Sequence, residues 1–115
     1  MARHTFVVFT NPVEGREDEF NDWYDNRHLS DVLAVQGFVA AQRFRLSETD
    51  PAQEFPHRYL ALYEVDTEDL EKVTLALAAA GDSGAMMISG SLDRPDAIAK
   101  YFTPITERVT AETFD

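Results

Sequence analysis

Apolar and polar positions divide this chain into six segments. His4 to Thr10 carries Phe6, Val7, Val8 and Phe9 in a row, a short β-favouring run that predicts a strand. Asn11-Pro12 ends it, because proline has no amide to give to a ladder. From about Arg16 the period becomes helical. Phe20, Trp23, Tyr24 and His28 fall at i, i+3, i+4 and i+8 on one face, and Glu17, Asp18, Asn21, Asp22 and Asp25 occupy the other, predicted as the solvated one. Leu29, Val32 and Leu33 extend the apolar face by a turn before Gly37 stops it.

Phe38 to Leu46 alternates and predicts a second strand, with Phe38, Ala40, Gln42 and Phe44 facing one way and Val39, Ala41, Arg43 and Arg45 the other. Ser47 to Pro56 gathers Ser, Thr, Asp, Glu and two prolines and reads as a loop. Arg58 to Val65, rich in Tyr, Leu and Val, is the third strand. Asp66 is placed to cap a second helix, with Val65 and Leu70 as a hydrophobic staple and Gly81 as its left-handed stop after Ala80. A break punctuated by Gly84, Gly90 and Pro95 leads to a last strand from Ala99 to Val109, with Pro104 marking a sheet edge.

The order β-α-β-β-α-β predicts an α+β, ferredoxin-like domain over residues 1–115, with a four-stranded antiparallel sheet and both helices on one face. The other face stays apolar and open, and a second subunit covering it predicts a homodimer.

Composition narrows the function. Of the 115 residues 44% are hydrophobic and 27% charged, which suits a folded domain. The absence of cysteine removes disulfides, thiolate metal sites and cysteine nucleophiles. Ten Lys+Arg against 21 Asp+Glu leave a net charge of −11, a surface that repels phosphate backbones and anionic lipid, so neither nucleic acid nor membrane is an expected partner. No apolar run approaches the roughly 18–20 residues of a membrane span, and the N-terminus lacks a signal-type apolar region, so a soluble, cytoplasmic setting is expected. Three scattered histidines make no metal-ligand spacing, and neither a Gly-rich phosphate loop nor a Gly-x-Ser-x-Gly elbow occurs. No metal and no cofactor are expected.

His28 is the leading candidate for chemistry. An imidazole titrating near neutrality can carry a proton to or from an acidic C–H or a phenol; the same residue can equally close the helix end as a buried structural group. Trp23 and Tyr24 are either plain core or, beside His28, the wall and hydroxyl donor of a pocket for an aromatic substrate. Tyr59 and Tyr63 share a strand face, with the small Ala61 between them leaving room for a ligand. Asn11 can orient a carbonyl or simply serve its Asn-Pro turn. Arg43, with Arg45, can hold a carboxylate or neutralise nearby acid. His4 and His57 carry little functional weight.

The segment from Phe9 to His28, and within it EFNDWYDNRHLSDVL, followed by GFVAAQRFRL and RYLALYEVD, resembles the dimeric α/β-barrel superfamily over roughly the first 80 residues, nearest to its EthD-like and stress-responsive branches. The resemblance implies sheets paired into a barrel across a dimer, and a pocket between each subunit's sheet and helices with a histidine at the position of His28. It also implies a range of chemistries: cofactor-independent monooxygenases, cyclases, isomerases and haem-degrading enzymes. The expected function is a small cofactor-independent enzyme using acid–base chemistry (an isomerase, cyclase, dehydratase or lyase) on a hydrophobic aromatic or cyclic carbonyl compound. His28 and Tyr24 would be catalytic, and Asn11, Trp23, Tyr59, Tyr63 and Arg43 would bind substrate. The alternatives are a non-catalytic binder of small hydrophobic ligands, an accessory protein of a catabolic pathway, and a cofactor-free or haem-linked monooxygenase.

Overall fold

A computed structural model describes residues 3–49 and 54–114. The elements are β1 (Arg3–Thr10), α1 (Glu17–Trp23), a π-helical turn (Tyr24–His28), α2 (Leu29–Leu33), β2 (Phe38–Arg45), β3 (Tyr59–Asp66), α3 (Leu70–Asp82) and β4 (Ile98–Phe102). The strands form one sheet in the order β2-β3-β1-β4, with every neighbouring pair antiparallel. This is the ferredoxin-like arrangement.

Period-2 alternation sorts the side chains of β3. Tyr59, Ala61, Tyr63 and Val65 are buried towards the helices, joined by Phe6 of β1. Phe20, Trp23, Tyr24, Val32 and Val73 close over them from the helices. Phe6 stacks on Tyr101 of β4 at 4.3 Å and meets Phe38 edge-on at 5.9 Å, so aromatic rings bridge the sheet from one edge strand to the other.

Several boundaries differ from the sequence expectation. Asp66 remains in β3, and the helix is capped three residues later: the Asp69 carboxylate accepts from the Lys72 amide at 3.1 Å. The cap competes with strand pairing for Asp66, and its pairing with Arg3 wins. The predicted Val65–Leu70 staple therefore does not form, since Leu70 becomes the first residue of α3. Gly81 lies inside α3, and the left-handed residue after its end is Gly84, at φ +81°. In β2 an irregularity between Phe38 and Ala40 puts Phe38 on the helix face together with Ala41 and Arg43, opposite to the simple alternation. β4 stops at Phe102 and does not continue to Val109. Of the predicted loop from Ser47 to Pro56, residues 50–53 lie outside the described residues; the flanking positions carry no helix or strand.

Gly37 links α2 to β2 at φ +107°, and a Cβ there would sit 2.7 Å from Val73 Cγ2. Its carbonyl also accepts from the Asp66 amide at 2.8 Å. A Gly37→Ala variant combines backbone strain with a clash, and should lose roughly 1–3 kcal/mol in urea unfolding. An unchanged midpoint would mean that the α2–β2 junction relaxes freely.

Candidate functional site

The first helix builds the site through its π-helical turn. In α geometry residues five apart point about 140° away from one another. The wider turn over Tyr24–His28 brings Trp23 and His28 together, and their rings stack at 4.5 Å with 24° between planes. Tyr24 meets the same imidazole edge-on at 4.9 Å. His28 is only partly covered, yet its Nδ1 is shut off from solvent and has no hydrogen-bond partner. Burial pulls the imidazole down to about 4; the Asp31 carboxylate opposes the shift and the Arg43 charge adds to it. His28 is therefore neutral at physiological pH.

Beneath it lie two buried phenols. Tyr63 Oη donates to Tyr24 Oη at 3.4 Å, and burial raises both groups well above the ordinary tyrosine range. Arg43 reaches over from β2. Its guanidinium lies 4.3 Å from the Tyr24 ring centroid, with Phe20 and Tyr59 at 5.4 and 5.3 Å. Nη1 pairs with Asp25 at 2.7 Å, and Nη2 donates to Asn21 Oδ1 at 2.9 Å. Asn21 in turn donates to Tyr59 Oη at 3.1 Å, and Tyr59 donates to Glu17. Arg43 is thus a strand-to-helix tie whose two Nη atoms are engaged within the chain.

This polar stripe adds to one sequence expectation, since Asp25 is exposed as expected yet engaged by Arg43. Glu17, Asn21 and Asp25, assigned to the solvated face, recur every four residues along the edge that meets β2 and β3. That spacing was the available signal; apolar periodicity overlooks it because none of the three is apolar. Segment 83–93 was also missed. It buries Met86 and accepts from Trp23 Nε1 through the Met87 carbonyl at 2.9 Å, covering the indole.

Six of the seven predicted site residues, namely Trp23, Tyr24, His28, Arg43, Tyr59 and Tyr63, share this cluster. Asn11 does not. Its Nδ2 donates to the Pro56 carbonyl at 2.7 Å and to Asp96 at 2.6 Å, and its Oδ1 accepts from the Arg58 amide at 2.9 Å. It clips the end of β1 to the chain entering β3 and β4, so its side chain is occupied structurally. His57 belongs to the same clip, with Nε2 2.7 Å from the Asp96 carbonyl. The expected room beside Ala61 is also closed: Ala61 and Tyr63 are each 1% exposed. Among the described residues no group of three or more His, Asp or Glu side chains is arranged to hold a metal ion, and no helix is long and apolar enough to cross a membrane.

The fold has close counterparts in known structures. The chain has the ferredoxin-like fold of EthD-family proteins and the dimeric α/β barrels. An EthD-family protein of Bacillus halodurans superposes with a TM-score of 0.61 at 18% identity, covering 91% of this chain and 100% of its own. The heme-degrader MhuD of Mycobacterium tuberculosis, solved with two hemes in its active site, gives 0.61 at 14% identity over 92% of this chain and 99% of MhuD. A dimeric ferredoxin-like protein of unknown function from Thermobifida fusca gives 0.52 at 12% identity, covering 90% of this chain and 92% of its own. No family model matches. Core atranone cluster protein 1 of Stachybotrys chlorohalonatus is 40% identical over 57 residues, which is 50% of this chain and 22% of that protein. The chain thus spans about a fifth of the length of that curated relative.

The heme of one counterpart makes His28 worth testing as an iron ligand. Trp23 covers one face of the imidazole, its Nδ1 is sealed from solvent, and Phe20, Tyr24 and Tyr63 fill the layer between helix and sheet. As packed, these residues leave no slot for a porphyrin and do not fit the group.

Proposed function

We propose that this chain is a small acid–base enzyme, an isomerase, cyclase, dehydratase or lyase, acting on a hydrophobic aromatic or cyclic carbonyl compound, with His28 as the base. The observation that carries this reading is the neutral, half-buried imidazole of His28, held between Trp23 and Tyr24 with part of its ring still exposed. A neutral imidazole starts as a proton acceptor. When it takes a proton from carbon next to a carbonyl, the electron pair moves onto the carbonyl oxygen. That developing negative charge beside the ring favours the imidazolium, offsetting the burial that keeps it neutral beforehand. Tyr24 is the nearest hydroxyl donor for the oxygen, with the Arg43 charge behind its ring. Trp23, Tyr59 and Tyr63 shape the apolar surround. Return of the proton at another carbon completes an isomerisation.

The second reading, a binder of small hydrophobic ligands, rests on the aromatic rings around the partly exposed imidazole, which suit holding a ring as well as reacting with it. The relative named for an atranone cluster is compatible with either. We also read the protein as a cytoplasmic homodimer. The sheet face away from the helices exposes Phe44, Ile98 and Phe102, and a counterpart of the same fold is dimeric.

Imidazole NMR signals followed from pH 3 to 9, with and without cyclic ketones, phenols and aromatic acids, test the site. His28 should titrate with a midpoint near 4, and binding ligands should move its signals. Compounds that bind should then be turned over, and His28→Gln should lower kcat on the order of 10²–10⁴-fold while still binding them. Ligand binding with no turnover would favour the binding module. Indifference of His28 to every ligand would remove it from the site.

A further inference from the structure

Trp23 and Tyr24 lie against the His28 ring from two sides and are themselves buried, so a substrate ring reaches the face of the imidazole only if part of this cover moves. The parts of the cover differ in how they are held. The first helix is tied to the sheet through Arg43 and Tyr59, and the strands are held by their ladders. The segment between α3 and β4 is fastened mainly at its far end. There the Val13 amide donates to the Ser91 carbonyl at 2.7 Å, the Asp93 amide to the Asn11 carbonyl at 3.0 Å, and Arg16 Nη1 to the Gly90 carbonyl at 2.9 Å. From Ala85 to Ile88, among the described residues, one hydrogen bond reaches the rest of the fold: Trp23 Nε1 donates to the Met87 carbonyl at 2.9 Å. Met86, 8% exposed, plugs this stretch into the cluster that holds Trp23, helped by the half-buried Ile88, while Met87 between them is 49% exposed. Glycines bound the stretch. Gly84 is left-handed at φ +81° with open space around it, and Gly90 stands at the other end.

We propose that residues 84–90 are a strap that swings away about Gly84 and Gly90 and admits substrate to His28. The inference rests on the acid–base reading of that site. Opening withdraws the Met86 thioether and part of Ile88 and breaks the bond to Met87, with no ladder or helix to melt. That corresponds to roughly one open copy in 10²–10³, against about one in 10⁴ or fewer globally unfolded. A segment so much less stable than the body around it opens on its own, as entrance segments do. The consequence for the site runs through Trp23. Its Nε1 is held by the strap and its ring stacks on His28 at 4.5 Å. Once the strap leaves, the indole can turn into the vacated space, and a flat apolar substrate takes its place on the imidazole face. Gly84 already occupies the backbone region that glycine enters without strain, which suits it to a hinge. Met86, Met87 and Ile88 give the entrance an apolar, adaptable edge that matches a hydrophobic carbonyl compound.

Trp23 is the chain's one tryptophan, so its indole N–H gives a single NMR signal. Hydrogen exchange of that proton, corrected for its intrinsic rate, should be at least tenfold less protected than the amides of the central strand β3. It should also be nearly independent of urea below the unfolding transition. Met86→Ala should speed the exchange by a further tenfold or more. The rate at which acetophenone or cyclohexanone reaches His28, read from NMR lineshapes of the imidazole, should rise to a similar degree, because association scales with the open fraction. Val65→Ala, a truncation in β3 away from the strap, should lower global stability and leave both rates unchanged. An indole proton that exchanges only with global unfolding overturns the strap and leaves the acid–base site standing. Equal association rates in Met86→Ala and wild type overturn the strap as the entrance. If neither ketone moves the His28 signals, the site reading fails and the entrance fails with it.

Discussion

Phe20→Ala is expected to remove about 3–5 kcal/mol of stability, the range for truncating a large buried ring. Phe20 is 0% exposed and meets Trp23, Tyr24 and Tyr59 at ring-centroid distances of 6.3, 5.6 and 5.4 Å, with Arg43 above it. These neighbours are held by their own bonds: Trp23 to Met87, Tyr59 to Glu17, and Arg43 to Asp25 and Asn21. They cannot all collapse into the cavity without breaking some of them, which places the expected loss high in the range. Against a total stability of about 5–15 kcal/mol, the thermal midpoint should fall by roughly 10–20 °C. Denaturant unfolding at neutral pH measures it directly. A loss below about 1 kcal/mol would show that the layer between helix and sheet repacks easily and that the aromatic cluster is not a rigid frame for His28.

The second large effect is on pH dependence. Burial holds the folded imidazole of His28 at about 4, while an unfolded histidine titrates near 6.5. Between these values the unfolded chain takes up a proton that the folded chain refuses. Stability is therefore fully present above about pH 6.5, declines as pH falls towards 4, and stops declining from this source below that. The size is on the order of 3 kcal/mol for a shift of this extent. His28→Gln has no such proton to exchange, so wild type should lose that much relative to the variant between pH 7 and pH 4. Two parallel curves would mean that the imidazole is solvated in the folded protein. That outcome would remove the electrostatic basis for a neutral base.

The sequence carried the site further than it carried the boundaries. Tyr24 and His28 were legible together because a spacing of four puts them on one helix face, and Trp23 because it adjoins that face beside Phe20. Tyr59 and Tyr63 were legible because strand alternation is local. Asn11 misled because a side chain that ends a strand beside a helix start is equally placed for a ligand and for a clip. Which it serves depends on Pro56, Arg58 and Asp96, between 45 and 85 residues away. The cap moved from Asp66 to Asp69 for a related reason: pairing with Arg3 on one side and the bond from its amide to the Gly37 carbonyl on the other keep Asp66 in the sheet.

Period and punctuation by themselves determined the order of elements, the antiparallel ferredoxin-like class and the aromatic face of the first helix. Each of these depends on residues within a few positions of one another. The stack of His28 on Trp23 needed the widened helical turn, which no spacing rule announces. The inward turn of Phe38 needed a strand irregularity that flips one position between faces. The capture of Arg43 by Asp25 and Asn21 needed β2 to cross under the helix. The neutrality of His28 and the closing of the space beside Ala61 came last of all, because burial is a sum over the whole molecule and no segment carries it alone.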